Sequence, residues 1–274
     1  MSLCAGMIRK QSRQRAQPYQ RIIFQRSNNE MRERLDQVLV RRGLAKSRSR
    51  ARDLVLRGAV RADGMIAEKP GQLVEPDVPL HVDAEANAYV ARSGAKLVDG
   101  LREFAFSAEG RVALDVGAST GGFTQVLLES GAARVYAVDV GQGQLDAALN
   151  ADRRVISLEG HDVRRLSVAE VPDRVTAIVL DVSFISLAQV LPAALSFATG
   201  DCWLVGLIKP QFEVGREALG KRGIVRDEEA VTESLTRIQH VLTERGWRVL
   251  GTLPSPLPGK TGNAEYLIGA QRDA

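Results

Sequence analysis

The sequence predicts an α/β protein in which a mostly parallel sheet carries helices on both faces and follows a small, basic α+β domain. From residue 93 onward, short apolar runs alternate with segments of helical length, as in parallel strands joined by helices. Before that point the elements are shorter and positive charge is concentrated. The chain has 274 residues, 45% apolar and 26% charged, which is enough for one large domain or two modest ones.

Charge is distributed unevenly along the chain. Residues 1–62 contain 16 Lys and Arg against 4 Asp and Glu, a balance of +12, whereas the remainder contains 21 against 29, a balance of −8. This asymmetry indicates that one part meets a polyanion, with a solvated basic face as the alternative. The two cysteines, Cys4 and Cys202, exclude a disulfide framework or a cysteine-rich zinc site and favour a cytoplasmic location.

Two segments bear on targeting and membranes. Residues 1–30 are predicted to be a disordered basic lead-in, because no apolar core of a signal peptide follows the basic residues. The uncharged stretch 182–200 has the length of a membrane span. It contains Pro192 and several hydroxyl side chains and directly follows Asp181, so we predict a strand end and a buried helix, and no membrane association.

Two short helices and a small sheet are predicted within residues 31–84. Apolar side chains recur at helical spacing in both helices, and Asp63-Gly64 indicates a hairpin turn. The predicted elements are helices at 32–42 and 48–57 and strands at 59–62, 65–66 and 79–82. The arginines predicted to face outward on the second helix are Arg48, Arg50, Arg52 and Arg57.

This small domain resembles the S-four (S4) RNA-binding module over roughly residues 32–82. The matching strings are RLDQVLVRRGLAKSR at 34–48 and GAVRADG at 58–64. The resemblance implies that both helices present Arg and Lys to folded RNA, where cations release counterions from phosphate. The candidate RNA-binding residues are Arg41, Arg42, Lys46, Arg48, Arg50 and Arg52.

Residues 85–90 lack periodicity and are predicted to link the small domain to a second domain over 91–274. The predicted strands of the second domain are 112–116, 135–140, 155–158, 175–182, 203–208, 249–253 and 266–270. The predicted helices are 93–106, 122–130, 143–150, 186–198 and 228–245.

A glycine-rich loop, DVGASTGGFT at 115–124, follows the first of these strands and opens a helix. Such a loop lets backbone N–H groups approach a ligand closely. Its spacing, Gly117-x-x-x-Gly121-Gly122, differs from the dinucleotide-binding pattern. Asp115 at the strand end would repel a pyrophosphate but would accept an ammonium group.

Two more carboxylates follow the next strands. Asp139 is placed to accept from ribose hydroxyls, and Asp162 to meet an adenine amino group. The three carboxylates favour S-adenosylmethionine as cofactor and disfavour NAD, with an ordinary glycine turn as the alternative. The candidate cofactor-binding residues are Asp115, Gly117, Ser119, Gly121, Gly122, Phe123, Asp139, Val140, Asp162 and Val163.

Four further polar residues are candidates for catalysis. Lys96 lies on the helix before the first strand, Asp181 and Lys209 end the fourth and fifth strands, and Glu265 enters the last. The carboxyl ends of strands surround the ligand crevice in such sheets. A lysine on a helix face and ion pairs at strand ends are the alternative interpretation.

Together these features resemble the FtsJ-like ribose methyltransferases with their Lys-Asp-Lys-Glu tetrad, over residues 92–271. With the basic domain in front, the chain from about residue 32 resembles the TlyA, or haemolysin A, family of rRNA methyltransferases. The matching strings are SGAKL at 93–97, ASTGGFT at 118–124, DVSFISL at 181–187, KPQFEVG at 209–215 and SPLPG at 255–259.

The resemblance implies a Rossmann-like class I methyltransferase sheet that transfers a methyl group from S-adenosylmethionine to a ribose 2′-hydroxyl of ribosomal RNA. Its partner would be ribosomal RNA or a ribosomal subunit, with no obligate protein partner and no metal. We expect Lys209 to deprotonate the hydroxyl, Asp181 to position Lys209, and Lys96 and Glu265 to hold the ribose. A membrane-lytic haemolysin and a noncatalytic RNA-binding protein remain as alternatives.

Overall fold

The computed structural model describes residues 32–56, 58–83, 89–220, 223–259 and 261–273. The chain divides into two compact units, one within residues 1–87 and one within 88–274. The predicted lead-in over 1–30, Arg57 and most of the predicted linker lie outside the described residues.

The first unit contains two helices and two small antiparallel sheets, of order β1-β4 and β3-β2-β5. Its elements are β1 (Glu33–Arg34), α1 (Leu35–Arg41), α2 (Arg48–Leu56), β2 (Val60–Ala62), β3 (Met65–Ile66), β4 (Leu73–Val74) and β5 (Leu80–Val82).

Helical spacing explains the core of this unit. Leu35 and Leu39 on α1 and Leu54 on α2 are fully buried. Asp63 and Gly64 join β2 to β3 with φ angles of 52° and 74°, as the predicted hairpin turn requires. The first helix begins at Leu35, three residues after the predicted start, because Glu33–Arg34 pairs with Leu73–Val74 as β1 and β4.

The second unit is built on a seven-stranded sheet. Its strands are β6 (Val112–Val116), β7 (Arg134–Asp139), β8 (Val155–Glu159), β9 (Val175–Leu180), β10 (Ala198–Ile208), β11 (Arg248–Pro254) and β12 (Tyr266–Arg272). Its α-helices are α3 (Ser93–Glu103), α4 (Gly122–Glu129), α5 (Ala147–Asn150), α6 (Leu187–Ser196), α7 (Pro210–Glu213) and α8 (Glu228–Thr243), with 3₁₀ turns at Val163–Arg165 and Arg216–Ala218.

The strand order is β11-β12-β10-β9-β6-β7-β8, and among these described strands β12 alone runs antiparallel to its neighbours. One apolar core lies beneath α6 and α8, and the other beneath α3 and α4. These observations confirm the predicted mostly parallel sheet with helices on both faces. The direction of winding reverses between β6 and β9, and α/β sheets form their ligand crevice at such a point.

The uncharged stretch 182–200 forms a loop, helix α6 and the start of β10. α6 begins at the N-cap Ser186 and buries Val190, Leu191 and Ala194 against the sheet. Of the helices in the described residues, none is both long and apolar enough to cross a membrane.

Gly269 on β12 provides the space that the Phe104 ring occupies, because a Cβ built at Gly269 would overlap that ring. We expect Gly269→Ala to lower the free energy of unfolding by about 1–3 kcal/mol, the usual cost of overpacking. Gly206→Ala on the neighbouring strand is the matched control, since its Cβ would lie 3.2 Å from the Ile268 Cγ2 atom. Urea unfolding of the unaltered protein and of both variants checks this prediction. An equal loss of unfolding free energy in the two variants would contradict it.

Candidate active site

The glycine-rich loop connects β6 to α4 and adopts a backbone conformation that favours glycine. Gly117 and Gly121 have φ angles of 89° and 95°. A Cβ at Gly117 would lie 2.7 Å from the Asp181 carbonyl oxygen, so glycine is needed for this close approach. The Asp181 N–H donates to the Val116 carbonyl at 2.9 Å. The loop therefore lies directly against the end of β9.

Asp115, at the carboxyl end of β6, is fully buried. The Thr124 hydroxyl donates to its Oδ2 atom at 2.6 Å, while Oδ1 has no hydrogen-bond partner among the described residues. Burial raises the pKa of Asp115 to about 7, and the nearby charges of Asp181 and Asp139 add to the shift. In this conformation burial also separates Asp115 from direct contact with a ligand ammonium.

Asp139 connects the glycine-rich loop to the end of β7. Its Oδ2 atom accepts from the Ser119 N–H at 2.9 Å, and Oδ1 accepts from the Gly141 N–H at 2.7 Å. Each oxygen keeps a lone pair for a further donor. Val140, the next residue, is 73% exposed at the same edge of the sheet.

Asp162, Phe123 and Val163, which were also predicted to bind the cofactor, have side chains with partners inside the protein. The Asp162 carboxylate is held by Arg164 at 2.6 and 3.0 Å, and these hydrogen bonds lower the pKa of Asp162. The Phe123 and Val163 side chains lie in the two cores, so only their backbone groups are available to a ligand.

The Lys209 ammonium group lies 2.6 Å from Asp181 Oδ1. Lys209 also donates to the Ser183 hydroxyl oxygen at 2.8 Å. The lysine is largely buried and directly follows β10, whereas Asp181 and Ser183 come from the loop that follows β9. The loop after β9 therefore presents two oxygen atoms to the lysine, Asp181 Oδ1 as an ion-pair partner and the Ser183 hydroxyl as a hydrogen-bond acceptor.

Lys96 and Glu265 form a second, buried ion pair. Lys96 comes from α3, and Glu265 directly precedes β12. A Cβ at Gly259 would lie 2.5 Å from the Glu265 Oε1 atom, so Gly259 leaves room for this carboxylate. The pairing of Ile208 with Tyr266 sets Glu265 and Lys209 on adjacent strands. All four predicted catalytic residues thus occur as two ion pairs at one edge of the sheet.

Glu213 supports this edge and was not predicted from the sequence. It accepts from the Ser186 hydroxyl and the Leu187 N–H, both at 2.6 Å. Arg237 donates to its carbonyl oxygen at 2.6 Å. Glu213 therefore joins the segment after Lys209 to the N-terminus of α6. The Ser186 side chain also caps α6 by accepting from the Ala188 N–H, and serine is a residue type that favours this position.

Phe184 is 91% exposed and has a φ angle of 64°. Its ring centroid lies 5.2 Å from that of Phe212. An exposed aromatic ring on a left-handed backbone marks a functional surface more often than a packing site. Tyr266, the third aromatic residue beside the tetrad, is half-buried and packs against a core.

The basic residues of the first unit are not equivalent. Arg42 donates to the carbonyls of Val78, at 2.6 Å, and Pro76. Arg50 is 9% exposed and pairs with Asp53 at 3.1 Å, so the prediction that it faces outward is wrong. The reason is its spacing, since Arg50 precedes the buried Leu54 by four residues and shares its helix face.

The remaining candidates Arg41, Lys46, Arg48 and Arg52 are exposed. Arg41 pairs with Glu33 at 2.9 Å. Arg48 shares the buried Asp36 carboxylate with Arg34, and the Arg34 hydrogen bond lowers the pKa of Asp36.

Comparisons with known proteins agree with this architecture. The model of the FtsJ-like methyltransferase family matches residues 89–272, and that of the S4 domain matches residues 33–78. The 16S/23S rRNA (cytidine-2′-O)-methyltransferase TlyA of Mycobacterium tuberculosis is 47% identical over 238 residues, covering 86% of this chain and 89% of that protein.

Two solved structures are also similar. A candidate hemolysin from Streptococcus thermophilus has a TM-score of 0.70 and 37% identity, covering 88% of this chain and 89% of its own. A candidate S-adenosylmethionine-dependent methyltransferase from Listeria monocytogenes shares the fold alone, with a TM-score of 0.51 and 13% identity, covering 67% of this chain and 100% of its own. The second unit is therefore an FtsJ-like methyltransferase. The chain as a whole belongs to the TlyA family, which confirms the family predicted from the sequence.

The raised pKa of Asp115 predicts a pH-dependent stability. The folded protein keeps its proton up to about pH 7, whereas the unfolded chain loses it near pH 4. The folded state therefore binds more protons between these values, and this group lowers the stability as the pH rises through that window. We expect Asp115→Asn to raise the melting temperature of the ligand-free protein more at pH 8 than at pH 5.

Thermal unfolding at both pH values checks this prediction. Asp152→Asn is the control, because hydrogen bonds from Arg154 lower the pKa of the half-buried Asp152, so that loss of its charge should not stabilise the protein at pH 8. An equal effect of Asp115→Asn at both pH values would contradict the assignment.

Proposed function

We propose that this protein transfers a methyl group from S-adenosylmethionine to a ribose 2′-hydroxyl of ribosomal RNA, and that its S4 domain docks the RNA. The observation that carries the proposal is the position of two ion pairs. Lys209 and Asp181 lie 2.6 Å apart, and Glu265, which pairs with Lys96, borders the strand adjacent to that of Lys209. The glycine-rich loop lies against the same strand end, so a cofactor loop and a base meet at one place.

The residues at this edge fit S-adenosylmethionine. The Oδ1 atom of the buried Asp115 is an acceptor below the loop that is unpaired within the described residues, and a cationic group bound nearby would favour its ionised form. The absence of a Cβ at Gly117 brings the glycine-rich loop against the Asp181 backbone, and Asp139 has acceptor capacity for ribose hydroxyls. Asp162 would bind the adenine amino group only if Arg164 moved away from its carboxylate. Val140 and the backbone beside Asp162 are therefore the better candidates for contacts with the adenine.

The proposed mechanism assigns a role to each tetrad residue. Bound S-adenosylmethionine supplies an electrophilic methyl group on a cationic sulfur. Lys209, in its neutral form, accepts the 2′-hydroxyl proton as the oxygen bonds to the methyl carbon and the carbon–sulfur bond breaks. Asp181 orients Lys209 and stabilises the resulting ammonium. Lys96, held by Glu265, contributes a second donor for the ribose oxygen. Alignment of the reacting atoms contributes about 7–11 kcal/mol to the barrier reduction.

Phe184 and Phe212 extend the proposal to the target nucleotide. A base must leave its stack before its ribose can enter a site enclosed by strand ends. The exposed Phe184 ring next to Asp181 offers a surface for stacking the displaced base, and Phe212 supports that ring from one side.

Lys209 provides the test of catalysis. We expect Lys209→Ala to fold and bind cofactor and RNA, yet to lose methyl transfer by at least about 100-fold, the low end for a positioned base. Lys209→Arg should lose methyl transfer as well, because a guanidinium stays protonated and cannot accept the proton. Single-turnover transfer from labelled S-adenosylmethionine to rRNA measures both.

Binding of cofactor and RNA by each variant is the control for that experiment. Partial activity of Lys209→Arg would mean that the lysine acts only as a charge. Near-normal rates in both variants would remove Lys209 from the mechanism. No transfer by the unaltered protein, with RNA binding retained, would favour a noncatalytic RNA-binding protein.

The exposed arginines provide the test of RNA docking. The double change Arg48→Ala and Arg52→Ala should weaken RNA binding and reduce the log–log salt slope by about 0.7–0.9 for each phosphate that is no longer neutralised. Arg50→Ala is the matched control on the same helix, because Arg50 is buried against Asp53 and should affect stability without changing the slope. Salt-dependent binding titrations distinguish the variants, and an unchanged slope in the double variant would show that both arginines are only solvated.

A further inference from the structure

Ser183 accepts a hydrogen bond from the proposed catalytic base and lies outside the tetrad. Its hydroxyl oxygen is 2.8 Å from Lys209 Nζ, and Asp181 Oδ1 is 2.6 Å from the same nitrogen. We propose that Ser183 is a positioning residue that fixes the direction of the Lys209 lone pair toward the ribose hydroxyl. This inference rests on the proposed function, because it assumes that Lys209 is the base.

The bonding of a primary amine supplies the argument. A neutral lysine has two N–H hydrogens and one lone pair on a tetrahedral nitrogen. Asp181 Oδ1 lies 2.6 Å from the nitrogen as an ion-pair partner without hydrogen-bond geometry, so on its own it does not fix rotation about the Cε–N bond. The Ser183 hydroxyl accepts one N–H hydrogen and fixes that rotation, while the negative charge of Asp181 disfavours a lone pair directed toward it. The lone pair therefore points away from both oxygens. After proton transfer, the ammonium still donates to Ser183 and is stabilised by the charge of Asp181.

The loop that carries Ser183 is held at both ends. At its start, the Asp181 N–H donates to the Val116 carbonyl at 2.9 Å. At its end, Glu213 accepts from the Ser186 hydroxyl and the Leu187 N–H, both at 2.6 Å. Glu213 follows Lys209 by four residues, so the segment that carries the base also anchors the loop. The Ser183 hydroxyl is therefore set by the fold and not by the ligand.

Ser183→Ala removes this acceptor while Asp181 still holds the lysine. We expect kcat to fall about 3- to 10-fold, the range that one hydrogen bond of ordinary strength supplies. KM for RNA and for cofactor should change less than about 2-fold, because lone-pair direction matters only as the proton moves. Ser183→Thr retains the hydroxyl and should restore most of kcat. Steady-state transfer to rRNA measures these quantities.

Ser196→Ala is the matched control, since its exposed hydroxyl donates to the Ala193 carbonyl at the far end of α6. It should leave kcat nearly unchanged. Normal kcat in Ser183→Ala, equal kcat losses in Ser183→Ala and Ser196→Ala, or no rescue by Ser183→Thr would each overturn the inference. Lys209→Ala, assayed in parallel, separates this from failure of the proposed function, which would show as a near-normal rate in that variant.

Discussion

The close approach of the glycine-rich loop to the end of β9 is the constraint on which the site depends. Gly117 and the Asp181 carbonyl occupy space that a single Cβ would fill. Because of this contact, the loop proposed to hold the cofactor and the segment that carries Asp181 share one edge of the sheet. The switch in winding between β6 and β9 creates that edge, and the antiparallel β12 adds Glu265 from the opposite direction. The site thus follows from strand order combined with one glycine.

Several charges at this edge are buried at a cost to stability. Lys96 and Glu265 compensate each other, but desolvation of a buried pair commonly offsets most of its attraction. Asp115 has only neutral partners, the hydroxyl and backbone N–H of Thr124, within the described residues, and its carboxyl group is close to two other carboxylates. Apolar packing of similar volume would stabilise the fold at least as well. Retention of these groups is easier to explain by the chemistry proposed for them than by folding.

Much of the architecture followed from sequence patterns, because the parallel strands are mainly apolar runs such as 203–208, and burial on both faces makes such runs easy to recognise as strands. The two-residue strands β1 and β4 were missed, since elements so short have no periodicity and, unlike β3, neither follows a recognised hairpin turn. β10 starts at Ala198 instead of 203, because Gly200 and Asp201 interrupt its apolar run. The tetrad residues came from resemblance, and their pairing as Lys209–Asp181 and Lys96–Glu265 required the structure. Contacts of Ser183, Thr124 and Glu213 join distant segments, and local sequence carries little sign of them.

The position of β12 has a consequence for biosynthesis. β11 is made before β12, yet the finished sheet places β12 between β10 and β11. Until β12 has been made, the strands up to β11 therefore cannot complete the final sheet. Lys96 also lacks its carboxylate partner until residue 265 has been added. A fragment that ends before residue 265 would thus lack both one residue of the proposed site and the strand that joins β10 to β11.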